Sequence, residues 1–174
     1  SLCQISVVED DSVINAAYIS VITQFNEVGI HNIPDAIPIE LINLVELNER
    51  FSGQTHGNLK GFTQKTKHHT SQLYYTIFML FGLPRIEFEA VLAHELLHVW
   101  LHEKQVKLSL ASTEGFCNLG SYLIYKNDNT HFSSIHIKAM ATSEDIVYGK
   151  GYREMKVLLE KLGWEKLIIN LSLK

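Results

Sequence analysis

Apolar residues follow three rhythms along this chain, and each predicts a different element. Val13, Ile14, Ala17, Tyr18, Val21, Ile22 and Phe25 recur at helical spacing after Asp10 and Asp11, and Gly29 closes the run, so an amphipathic helix is expected. Ile37–Val45, rich in branched residues and preceded by Pro34 and Pro38, reads as a strand, and the polar, Gly-containing Glu49–Asn58 as a loop. Leu73–Phe81 (LYYTIFMLF) is β-branched and aromatic, closed by Gly82 and Pro84, and predicts a second strand. Ile86–Leu101 (IEFEAVLAHELLHVWL) is apolar on most faces, the signature of a helix buried inside a domain. Lys104 to Ser112 supplies a turn, and Glu114 opens a second helix carrying Phe116, Leu119, Leu123 and Ile124 on its apolar side. Ser133–Ser143 and Tyr152–Leu162 are helical in pattern, with a short apolar tail from Trp164. No internal repeat breaks this order. The expected architecture is α+β, a small sheet packed on the Ile86–Leu101 helix with further helices completing a cleft.

Composition narrows the class. A length of 174 residues, 46% hydrophobic and 20% charged, suits one soluble globular domain over 1–174. A net charge of −4 with no face-wide basic stripe argues against nucleic acid as a partner. The one basic cluster, Lys60 to His69, reads as a solvated loop or edge strand, with a substrate-facing rim as the lesser alternative. No stretch reaches the roughly eighteen apolar residues that span a bilayer, and no signal peptide is visible, so a cytoplasmic location is expected. The chain starts at Ser1 rather than Met, which suggests a piece of a longer protein with an upstream module. Cys3 and Cys117 are too few for a disulfide framework or a cysteine-type zinc site. Cys3 reads as a surface thiol, with the remnant of an upstream metal-binding module as the alternative, and Cys117 as a small buried residue.

One motif carries chemistry: His94-Glu95-Leu96-Leu97-His98. On a helix, His94 and His98 stack on one face with Cβ atoms about 5–6 Å apart, close enough to share one metal ion. Glu95 points roughly 100° away, placed to take a proton from water rather than to ligate. Burying two imidazoles and a carboxylate in so apolar a helix costs several kcal/mol unless hydrogen bonds or a metal compensate. Catalytic zinc wants a third protein ligand. His102 sits about 12 Å along the axis from His94, too far for one ion, and Glu103 fails likewise. A metzincin continuation would need Gly and His where Leu101 and Lys104 stand. Glu114 remains, completing a His₂Glu set, with Asn118 one turn on as a hydrogen-bond acceptor for a ligand histidine. An oxyanion donor is sought in Tyr148, beside Gly149 and Gly151, with His136 and Tyr152 as rivals. The reading is a zinc-dependent endopeptidase acting on protein or peptide substrates. The alternatives are a catalytically weak or inactive metal-stabilised module that recruits a protein partner, and metal-free binding through the helical surface.

Four blocks in order, Phe81–Arg85 (FGLPR), Ala93–Trp100 (AHELLHVW), Glu114–Cys117 (EGFC) and Tyr148–Arg153 (YGKGYR), resemble the peptidase domain of the plant DA-one family. These are LIM-domain proteins that regulate organ growth, with bacterial relatives, and Pro38–Glu49 is similar as well. The resemblance implies a zincin-like, gluzincin-type peptidase using one Zn²⁺ held by His94, His98 and Glu114, with Glu95 as general base. A link to the ubiquitin pathway comes by resemblance only. This chain carries no LIM domain or ubiquitin-interaction motif, and it has short spacers where plant relatives have a long insertion.

Overall fold

A computed structural model describes residues 8, 10–35, 37–51, 59–67 and 73–172. The expectations for Cys3, for much of the 49–58 loop and for the end of the basic cluster lie outside the described residues. The described chain is α+β, with six helices and a three-stranded mixed sheet. In order these are α1 (Asp11–Glu27), β1 (Ile39–Ile42), α2 (Leu44–Phe51), β2 (Gly61–Lys67), β3 (Leu73–Leu80), α3 (Arg85–Glu103), α4 (Leu110–Asp128), α5 (His131–Thr142) and α6 (Tyr148–Ser172).

The sheet order is β1-β3-β2, with β1 parallel and β2 antiparallel to the central β3. Central β3 buries Ile77, Phe78 and Met79 in succession, as expected of a strand covered on both faces. One face packs under α3 in the main core; Phe78 on the other joins Ile42, Leu47 and Phe51 in a smaller cluster beneath α2. The basic segment forms β2, the edge strand, buried at Gly61 and exposed from Gln64 onward.

Four sequence readings are corrected here. The strand ends at Ile42, and Leu44–Phe51 is a helix rather than the tail of a strand running into a loop. Asn43 Oδ1 accepts the Glu46 amide at 2.9 Å, a helix cap strong enough to override the β preference of Val45, whose side chain points to solvent. Helix α4 begins at Leu110, four residues before Glu114, because Ser109 Oγ accepts from the Ser112 amide. Likewise α6 starts at Tyr148, where Asp145 Oδ1 takes the amides of Val147 and Tyr148. The tail from Trp164 is helical, separated only by Gly163 at φ 74°. No helix among the described residues is long and apolar enough to cross a membrane.

Candidate metal centre

Helix α3 is the spine of the site. Ala90, Leu92, Ala93, Leu96, Leu97, Val99 and Trp100 are buried around nearly its whole circumference. Its polar residues are all engaged: Glu87 accepts from Lys60, and Glu89 from Arg85 at 2.8 Å and Ser20 at 3.1 Å. Trp100 donates to the His31 carbonyl at 3.1 Å, which fixes the helix against the segment after α1.

Helix α4 crosses α3 at backbone contact. A Cβ on Gly120 would come within 2.9 Å of the Ala93 carbonyl oxygen, and Ser121 Oγ donates to the Ala90 carbonyl at 2.7 Å. This crossing brings Glu114 and Asn118, one turn apart on α4, over the two histidines. His94 Nε2 and His98 Nε2 stand 3.1 Å apart. Glu114 Oε2 is 3.2 Å from the former and Oε1 is 3.6 Å from the latter. Asn118 Oδ1 lies 3.0 Å from His94 Nδ1. That contact assigns an N–H to Nδ1 and turns Nε2 toward Glu114 and His98.

Charge follows from the same contacts. Burial would push the Glu114 carboxyl up, but hydrogen bonds and charge from His94 and His98 hold it well below the usual carboxylate range. For His94, burial pulls the other way, and Glu114, Glu95 and Asn118 together outweigh it and raise the ring's pKa. A ring nitrogen of each histidine and Cys117 Sγ also lie within 4.8 Å of one another. Burial pushes the Cys117 thiol well above its ordinary value, with the charges of Glu114 and Glu95 adding to the effect. The carboxylate is therefore the readier third donor, since a metal takes a thiolate rather than a thiol.

Glu95 leaves α3 toward the sheet, where Thr63 Oγ1 on β2 stands 2.7 Å from its Oε2. Glu95, His94, His98, Glu114, Thr63 and Tyr148 share one open cleft of about 490 Å³. Of the three candidates for an oxyanion donor, Tyr148 lines this cleft. Tyr152 is buried against Tyr122, and His136 stacks on Tyr125 at 4.9 Å. His102 rests near the Tyr75 ring, whose hydroxyl donates to Glu103 at 2.6 Å; neither residue joins the cluster.

The sequence reading missed what supports these groups. Gly115, Gly149 and Gly151 let α6 touch α4 and the segment before it: a Cβ at Gly151 would meet the Ala111 carbonyl oxygen at 2.0 Å, one at Gly115 the Gly151 carbonyl at 2.2 Å, and one at Gly149 the Ser143 carbonyl at 2.2 Å. Asn118 Nδ2 reaches the Tyr148 carbonyl at 3.5 Å, tying the start of α6 to the residue that holds His94. Gly115, four positions after Ala111, and the pair Gly149 and Gly151 were the available signal, as small residues permit close backbone approach. Thr63 carried no comparable signal.

Comparison with known proteins identifies the family. The DA1-like family, described as Protein DA1, matches residues 39–139, more than half of the chain and the span holding both histidines, Glu95 and Glu114. The LIM domain-containing protein HDR3 of Oryza sativa subsp. japonica is 48% identical over 48 residues, which cover 27% of this chain and 10% of that protein. The matched segment thus spans about a tenth of the relative's length. No solved structure matches. With its matched span running from β1 into α5, this chain belongs to the DA1-like family.

Proposed function

We propose that the chain is a zinc-dependent endopeptidase domain of the zincin-like, gluzincin type, acting on protein substrates. One observation carries the reading: two imidazole nitrogens and a carboxylate from a second helix converge to 3.1–3.6 Å at the floor of an open cleft. The donor set fits zinc, which takes nitrogen and carboxylate oxygen ligands and keeps a position open in catalytic sites. His94, His98 and Glu114 would hold the ion, and Asn118 would orient His94 through its other nitrogen. When bound, zinc supplies Lewis acidity, polarising a peptide carbonyl and making water acidic near neutral pH.

The chain's own residues do the rest. Glu95 accepts the proton of the attacking water and returns it to the leaving amine. Tyr148 is the donor to the developing oxyanion, on the cleft wall formed by the start of α6. The β2 edge offers a substrate its backbone hydrogen-bonding groups, so an extended peptide would lie along it by strand addition. The name of the rice relative, a LIM domain-containing protein, makes protein partners a natural setting, and a ubiquitin-pathway link is proposed by family resemblance alone.

The test pairs metal analysis with a peptide-library digest by wild type and Glu95→Gln, with and without chelator. Glu95→Gln keeps stoichiometric zinc and loses about 10²–10⁴ in kcat, the share a general base contributes. Zinc binding without chelator-sensitive cleavage by wild type would instead make the chain a metal-stabilised recruitment module.

A further inference from the structure

We propose that Thr63 is a positioning residue for the Glu95 carboxylate, an inference that rests on Glu95 acting as general base. Thr63 Oγ1 lies 2.7 Å from Glu95 Oε2 and 3.2 Å from the Glu95 backbone carbonyl oxygen. The hydroxyl's single proton serves the carboxylate, the stronger acceptor. Glu95 is only 6% exposed, so its carboxylate depends on protein donors rather than bulk water. The last torsion of a glutamate side chain is broad, with no staggered well to hold the carboxylate plane. A hydroxyl bound to one oxygen removes that freedom and fixes how the group faces the paired imidazoles.

The surroundings make this contact specific. Gly61 and Thr63 alternate onto the same face of β2. A Cβ at Gly61 would meet Val91 Cγ1 at 2.7 Å and Glu95 Cγ at 3.2 Å, so the missing side chain lets the strand lie directly on α3. Gly61 and Thr63 pair in register with Met79 and Ile77 of the central strand, both fully buried. The hydroxyl is therefore placed by a sheet packed into the core rather than by a loop, the arrangement that holds a working group to a fraction of an ångström. The same strand that would receive a substrate backbone thus sets the orientation of the base.

Thr63→Val keeps the shape and strand preference and removes the hydroxyl; Thr63→Ser keeps the hydroxyl. The readouts are kcat and KM on a peptide cleaved by wild type, zinc stoichiometry, and the ¹³C carboxyl resonance of Glu95, assigned by its disappearance in Glu95→Gln. Thr63→Val should lower kcat about 10–100-fold with KM within about twofold, since it disturbs a group acting only in the transition state. Zinc content stays at the wild-type level, the resonance moves, and Thr63→Ser returns both kcat and resonance toward wild type. Wild-type kcat in Thr63→Val, a change confined to KM, or a loss that Thr63→Ser fails to recover would overturn the proposal. If wild type cleaves no peptide, the general-base reading falls by itself; the resonance then still decides whether Thr63 orients Glu95.

Discussion

The two walls of the cleft are built on different principles. On the helical wall, α3, α4 and α6 meet at their backbones: Gly120 rests on Ala93, Gly151 on Ala111, and Gly115 on Gly151. On the strand wall, β2 is held by its ladder to β3 and, apart from the close approach at Gly61, reaches the helices with side chains, Phe62 stacked on Phe51 at 3.9 Å and Thr63 reaching Glu95. The helical wall carries all three proposed ligands and Tyr148; the strand wall carries the contact to Glu95, the proposed base. On the proposed reading, ligands that must converge within a fraction of an ångström come from elements with no slack between them, whereas the proposed base is set from the wall proposed to receive substrate.

The largest effect on this contrast should come from Gly151→Ala. Its Cβ would land 2.0 Å from a backbone carbonyl oxygen, an overlap no rotamer change relieves, so α6 must shift from α4. A stability loss of about 3 kcal/mol is expected in denaturant unfolding, at the upper end for overpacked sites. Next comes Asn118→Ala, which leaves the helices in place but removes the acceptor on His94 Nδ1. Zinc affinity should fall about 10–100-fold in a chelator competition, with little change in unfolding. If affinity is unchanged, the helical wall positions its ligands by packing alone. The smallest effect belongs to Arg50→Ala on α2, behind the strand wall. Arg50 pairs with Glu46 and lies over the Phe78 ring at 5.2 Å, and both partners of the ion pair are well exposed. A loss below about 1 kcal/mol and unaltered cleavage are expected; a catalytic change would mean that α2 communicates with the strand wall.

The difference between the walls also governs what the sequence disclosed. Helix α3 was legible because its histidines and apolar residues obey one period, and its burial is nearly complete. Glu114 was found by elimination of residues that a helix axis carries too far from His94, and the structure brings it beside both rings. The edge strand was one of two readings offered for Lys60–His69, and Gly61–Lys67 takes it. What escaped was polar and local. Asn43 followed by Glu46 is a capping signature, outweighed in the reading by the branched residues Ile42 and Val45. Ser109 and Asp145 start helices by side-chain bonds that hydrophobic period does not register. Thr63 was invisible for a different reason: its partner lies 32 positions away, and no local pattern encodes that meeting.

Strand β2 has a bonded neighbour on one side only among the described residues. A chain annealed to the other side would meet it through its own amide hydrogens at alternate residues. Proline brings no such hydrogen and locks its φ near −65°. If the proposed strand addition holds, a peptide carrying proline at those bonded places would be turned away by the main chain itself, before any side-chain pocket is consulted.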